Sequence, residues 1–213
     1  MTFTARKAQE ADLPALAALF DASSCGCHCR YWFFDGTKND WLARTAFEPE
    51  KNKMELGLEL GTEPLVGVVA TVTISTRQRI SAPQIVGWMR LTERARVPRL
   101  PRLPVYKMLE LGDDAGIASI SCFLVHPEYR GQGVAHALLA AAIQLVGATH
   151  HMEAYPRRAM DAQRLSDEEA WLGPIHLLES QGFQAHAVEP KAGGPFSAST
   201  PTYPIYRRPR SGG

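Results

Sequence analysis

Residues Ile117–Val146 read I-A-S-I-S-C-F-L-V-H-P-E-Y-R-G-Q-G-V-A-H-A-L-L-A-A-A-I-Q-L-V. The β-branched and aromatic segment from Ile120 to Val125, bounded by turn residues, predicts a buried strand. His126-Pro127 ends it, because proline has no N–H and pushes the residue before it towards extended backbone. The turn Arg130-Gly131-Gln132-Gly133 follows, and an apolar helical pattern then runs from Val134 to Val146. No Asp, Glu, Lys or Arg stands between Arg130 and Glu153, which predicts a helix buried on most sides.

A strand, a glycine turn and a helix in that order make an anion site. The first turn of a helix has N–H groups without internal partners, and the macrodipole adds partial positive charge there. Gly131 and Gly133 remove the Cβ atoms that would hold a phosphate away from those donors. Two familiar phosphate loops are excluded. The chain has no G-x-x-x-x-G-K-[ST], and a dinucleotide-binding G-x-G-x-x-G would need glycine where His136 stands.

What remains resembles the coenzyme A loop of the GNAT acyltransferase superfamily: Arg or Gln, two residues, Gly, one residue, then Gly or Ala. Arg130, Gly133 and Ala135 meet it within V-x-P-x-Y-R-G-x-G-V-A, residues Val125 to Ala135. The opening R-K-A-Q-E-A-D-L-P-A-L and the helix pattern ending in Gly182-Phe183 resemble the same family. The resemblance implies an α/β (α+β) fold: a twisted, mostly antiparallel mixed sheet flanked by helices, with a splayed central strand pair. It spans 1–207 as one domain, and 208–213 is expected to be a disordered tail.

Around this core the chain predicts a strand from Phe3 to Lys7 and a helix capped by Asp12. Further helices are expected over Asp40–Phe47, Glu50–Leu60 and Val105–Leu111. Strands are predicted over Leu65–Ile74, Gln84–Leu91 and His150–Tyr155, with Ser75–Pro83 as a hairpin-like connection. A helix over Trp171–Phe183 and closing strands over Gln184–Val188 and Tyr203–Arg207 complete the order.

Composition narrows the functions. The 213 residues carry a net charge of +1, which gives no global argument for nucleic acid or anionic membrane. Neither a signal-peptide core nor a spanning stretch is present, so the expectation is a cytoplasmic protein. Cys25, Cys27 and Cys29 flank His28, but cysteines one residue apart close a cramped chelate, and no metal is expected. Arg94, Arg96, Arg99 and Arg102 alternate with prolines, as a semi-rigid connector or an anion-recognising rim.

The resemblance further implies acetyl transfer from acetyl-CoA to the amine of a small molecule, without nucleic acid or membrane, with a homodimer as one open state of assembly. Carried over, Phe123, Leu124 and Val125 bond the pantetheine, and Arg130, Gly131, Gln132, Gly133, Val134 and Ala135 hold the pyrophosphate. A backbone N–H near Leu124 polarises the acyl carbonyl. The tyrosine that often serves as acid falls at Leu178, which has no proton to give. Glu153 is the candidate base and Tyr155 the candidate acid or orienter, while Tyr31 and Trp32 are candidates for the acceptor pocket. The rival from another class is a non-catalytic acyl-CoA sensor that keeps the loop without the chemistry.

Overall fold

The computed structural model of the chain describes residues 2–73, 82–107, 109–158, 165–166, 169–187 and 204–211. The helices are α1 (Leu13–Ala22), α2 (Lys38–Phe47), α3 (Pro49–Thr62), α4 (Pro104–Lys107), α5 (Val134–Val146) and α6 (Ile175–Ser180). The strands are β1 (Thr2–Lys7), β2 (Gly67–Thr73), β3 (Gln84–Glu93), β4 (Ile117–Val125), β5 (His151–Ala154), β6 (Gln184–His186) and β7 (Ile205–Arg208). They form one seven-stranded sheet in the order β1-β2-β3-β4-β5-β7-β6. Only β4 and β5 run parallel; every other neighbouring pair is antiparallel. This is the mixed, mostly antiparallel α/β architecture that the sequence predicts.

The sheet is covered on both faces. On one, α5 lays Val134, Leu138, Leu139, Ala142 and Val146 against Val68, Val86, Met89 and Ile120. On the other, α1 and α3 bring Leu16, Phe20 and Leu56 onto Val69, Trp88 and Cys122. Helix α5 is less enclosed than its lack of charge predicts: His136, Gln144 and Leu145 are exposed. Alanine and uncharged polar residues are tolerated at a solvent-facing stripe, so missing charge does not require burial.

β4 is the strand that positions the site. Its pairing with β3 shifts between Arg90↔Cys122 and Leu91↔Ile120, leaving Ser121 as an extra, bulged residue. The pairing of β4 with β5 ends at Ile120↔Ala154, directly before that bulge. A bulge bends its strand and raises the local twist, so β4 leaves β5 here and runs on to Val125 with one edge open. Trp32 lies beneath: its indole Nε1–H donates to Ser121 O at 2.8 Å, and its ring is 3% exposed. The acceptor-pocket expectation for Trp32 is therefore corrected. A nearly dry indole whose one donor is satisfied is a core pin.

Other local differences have identifiable causes. Asp12 does not cap α1 with its side chain. It accepts two hydrogen bonds of 2.7 Å from Arg6 and one of 2.9 Å from Gln9 N–H, closing the preceding 3-10 turn. Hydrogen bonds from Arg6 and Gln9 outweigh the opposing effect of burial, which is the largest single cause, and hold the Asp12 carboxyl below its usual range. A depressed carboxylate stabilises above its unfolded pKa and loses that contribution as pH falls through the folded value. Asp12→Asn is expected to cost about 1 kcal/mol at pH 7. In urea titrations, the gap to wild type should close below about pH 4.

The helix expected over Trp171–Phe183 begins only at Ile175, because Gly173 is left-handed (φ +91°) and Pro174 follows at the N-cap. Its end does match: Gly182 N–H bonds to Glu179 O (3.0 Å) and Phe183 N–H to Leu178 O (3.1 Å), a Schellman closure. Of the expected tail, 208–211 are described and 212–213 lie outside the described residues. Arg208 belongs to β7 opposite Met152 and donates from Nε to Gln181 O at 3.1 Å, while Ser211 N–H bonds to Gly147 O at 2.6 Å. Those partners tie 208–211 to the body. Most of the expected Ser75–Pro83 connection falls outside the described residues.

Candidate active site

The open edge of β4 has a defined chemistry. His126 N–H bonds across the ladder to Val86 O at 2.9 Å. Backbone groups alternate in an antiparallel pair, so those of Leu124 also face β3 while those of Phe123 and Val125 turn to the open side. Leu124 thus reaches the cavity only with its side chain, and the donor sought near it is Phe123 N–H. That N–H is engaged by Trp171 O at 2.6 Å. Gly173 brings this segment close: a Cβ there would stand 2.7 Å from the Phe123 ring.

Beyond Val125 the chain enters the glycine turn. Arg130 Nε donates back to Val125 O at 3.2 Å, and Gln132 Nε2 to Glu128 O at 2.7 Å. Gly131 and Gly133 have φ of +71° and +90°, a region that strains other residues, and at both a Cβ would meet only open space. The first intrahelical bond of α5 runs from Ala137 N–H to Gly133 O. Hence the N–H groups of Gly133, Val134, Ala135 and His136 have no acceptor within the helix, and the dipole adds to their pull on an anion.

One cavity of about 820 Å³ joins this turn to the open strand edge. Phe123, Leu124, Val125, Arg130, Gly131, Gly133, Val134 and Ala135 line it; of the expected loop residues only Gln132 does not. Tyr31 lines the other end. Sequence reasoning missed its companions there: Cys25, Cys27, Trp41 and Trp171. Trp41 is the buried residue of α2, so its place on an apolar face was the available signal.

The chain's four cysteines are free, and Cys25, Cys27 and Cys122 line the cavity. Cys25 and Cys27 place their sulfurs 3.2 Å apart. That contact, followed by burial, pushes the Cys25 thiol up. For Cys27 the Cys25 contact opposes, but contact with Cys29 and burial push it up to about 12. Both therefore stay protonated at neutral pH and are poor nucleophiles. Among the described residues no group of three or more His, Cys, Asp or Glu is arranged to hold a metal ion.

Glu153 and Tyr155 do not line the cavity. Glu153 is 1% exposed. Its carboxylate accepts from Arg94 Nη1 at 3.0 Å, from Arg207 Nε at 2.9 Å and from the Tyr155 hydroxyl at 3.1 Å. Ser119 Oγ lies 2.7 Å from the same hydroxyl. Burial first, and then the Glu153 charge, push the Tyr155 phenol well above its usual value. The pair shares one face, as strand alternation predicts, but the geometry makes it an internal ion-pair network rather than a base and acid facing substrate.

Arg94 is consumed by this network, also bonding Asp114 and the carbonyls of Gly112 (3.1 Å) and Asp113 (2.6 Å). Arg96 pairs with Glu63 and Arg102 with Asp35, and Arg99 donates to Phe34 O at 3.0 Å. The arginine-proline stretch is thus a connector held by its own partners. At the position expected for a tyrosine acid, Leu178 is fully buried in the core, and the neighbour that lines the cavity is Leu177.

The family model described as Acetyltransferase (GNAT) family matches residues 31–164. Among solved structures, PH1933 from Pyrococcus horikoshii is similar in fold, with 13% identity, 99% of each chain covered and a TM-score of 0.50. The PaiA N-acetyltransferase of Thermoplasma acidophilum, solved in complex with coenzyme A, aligns at 12% identity over 98% of this chain and 99% of its own, with a TM-score of 0.49. The structure of the histone acetyltransferase HPA2 and related acetyltransferase from Corynebacterium glutamicum aligns at 19% identity over 99% and 98%, with a TM-score of 0.49. Comparison with curated proteins gives no match. No helix among the described residues is long and apolar enough to cross a membrane. With its splayed β4, its glycine turn at α5 and a family match over 31–164, the chain belongs to the GNAT acetyltransferase family, whose acyl donor is acetyl-CoA.

Proposed function

We propose that the chain transfers an acetyl group from acetyl-CoA to the amine of a small molecule, by direct attack in a ternary complex. One observation carries this reading. A strand edge released from its neighbour leads, within a single cavity, into a helix N-terminus whose first N–H groups have no acceptor within the helix. Such an edge suits an amide-bearing arm, and such a terminus suits a pyrophosphate.

The N–H groups from Gly131 to Ala135 and the Arg130 charge would hold the pyrophosphate. Phe123 O and Val125 N–H, turned to the open side, would meet the pantetheine amides. Phe123 N–H is aimed where an acyl carbonyl needs a donor, once Trp171 O gives it up. The thioester supplies an activated acyl carbon: the new C–N bond forms as the C–S bond breaks. Protonated Cys25 and Cys27 favour direct transfer over an acylated thiol. With Leu177 and Leu178 on α6, the thiolate leaves without a phenol from that helix, and a thiolate is a good enough leaving group for this.

Among the described residues no carboxylate lines the cavity, but the imidazoles of His136 and His176 do, so the amine's proton goes to an imidazole or to water. The test follows free thiol released by purified protein from acetyl-CoA as amine is added. Release should require amine, and kcat/KM should rise with pH in step with the amine's unprotonated fraction. Binding of acetyl-CoA with no amine-dependent release would mark a sensor instead. A plateau far below the amine's own pKa would assign the base to one of those imidazoles, and its absence would assign it to water.

A further inference from the structure

The end of the cavity away from the glycine turn has a particular shape and charge. Tyr31 stands at its corner. Its ring meets Trp41 at 5.6 Å with planes 69° apart, and Trp171 at 6.3 Å with planes 89° apart. Rings set near right angles around a shared corner give a concave, apolar wall.

The wall is fixed before any ligand arrives. Arg99 lies 4.5 Å over the Tyr31 ring and is anchored through Phe34 O. Trp41 packs on Phe34 at 5.3 Å. Trp171 is braced by its ring contacts, against Tyr31 at 6.3 Å and Trp32 at 6.3 Å. Pre-ordered rings lose little entropy when they capture a ligand.

Charge sets the second limit. Among the described residues, Arg130 is the only permanently charged side chain lining the cavity, and it belongs to the glycine turn. Cys25 and Cys27 stay neutral. The described wall offers no carboxylate to a further ammonium, so an acceptor with several would lose hydration at each without a counter-ion from these residues. A single ammonium can rest against an indole face before it gives up its proton. A ring or comparable apolar body on that amine then buries against the same faces.

We infer that the acceptor is a monoamine with an aromatic or bulky apolar body, held by Tyr31, Trp41 and Trp171, and that polyamines and lysine-rich peptides are poor acceptors. The inference rests on the acyltransferase reading and names its substrate class.

The experiment uses the full chain with saturating acetyl-CoA and compares 2-phenylethylamine, n-butylamine, spermidine and a lysine-bearing peptide by thiol release. Their binding in the presence of CoA is read in parallel by tryptophan fluorescence. The expected result is a kcat/KM for 2-phenylethylamine at least tenfold above that for n-butylamine, with spermidine and the peptide lowest. Trp171→Leu and Trp41→Leu should each cut that kcat/KM about tenfold. Using two variants separates the wall's role from a folding defect in either.

Preference for spermidine or the peptide would overturn the inference, as would variants that leave the order of amines unchanged. Acetyl-CoA binding without binding or turnover of 2-phenylethylamine would overturn it as well. Failure to bind acetyl-CoA would instead remove the acyltransferase reading beneath it.

Discussion

Gly133→Asp is expected to weaken acetyl-CoA binding a hundredfold or more while the protein stays folded. Gly133 sits at φ +90° with open space where a Cβ would project. Asp and Asn are the residues that tolerate this backbone region best after glycine, so the substitution disturbs the turn as little as any can. What it adds is a negative charge beside the N–H groups of Val134, Ala135 and His136, where the pyrophosphate would lie. Two like charges about 4 Å apart repel by about 1–4 kcal/mol at effective dielectrics between bulk water and a protein surface. The carboxylate also competes for the helix N-terminal donors. Gly133→Asn is the control: same shape, no charge, and an expected loss of about tenfold from backbone strain and crowding. Calorimetric titration of both variants checks this. Equal losses in the two would assign the effect to geometry, and no loss in either would move the anion site elsewhere.

Glu153→Gln is expected to cost stability, with no selective loss of turnover. Arg94 keeps a side chain 1% exposed, and Glu153 is its fully buried partner. The substituted side chain would retain the volume but present a neutral amide to two guanidinium groups. Breaking a buried pair costs about 3–5 kcal/mol, because the remaining charge stays desolvated. Arg207 is a quarter exposed and can turn to water, and Asp114 still holds Arg94 from a half-exposed position, so the lower figure of about 3 kcal/mol applies. For a chain of this size that lowers Tm by about 6–12 °C. Acetyl-CoA affinity, measured well below the new Tm, should match wild type. An unchanged Tm with kcat reduced a hundredfold would return Glu153 to the catalytic machinery.

These two positions mark where the sequence is readable and where it is not. Gly133 announces itself locally: a strand pattern, a His-Pro stop, paired glycines and a helical period all fall within about thirty residues, and each rests on short-range sterics. The same locality explains why β1, β3, α2, α3 and the Gly182 closure lie close to their expected bounds. Glu153 is the opposite case. Alternation correctly puts it on one face with Tyr155, but its partners Arg94 and Arg207 lie 59 and 54 residues away. One signal was available. A carboxylate in the middle of an interior strand needs a buried cation, and Arg94 was such a candidate within the connector.

Tyr31 and Trp32 show the other limit. Both lie in one 3-10 turn, and only the tertiary position of Ser121, 89 residues from Trp32, decides which ring meets the core and which the cavity. The bulge at Ser121 has no sequence signature of its own. Neither does the arrival of Trp171 O on the free strand edge.

The most direct measurement is calorimetric titration of the wild-type protein with acetyl-CoA. A single site with a heat of binding, reduced by inorganic pyrophosphate competing for the α5 N-terminus, is the result predicted here. No heat up to millimolar acetyl-CoA, with the protein folded by circular dichroism, would contradict the acyl-CoA assignment of the cavity and with it the proposed transfer.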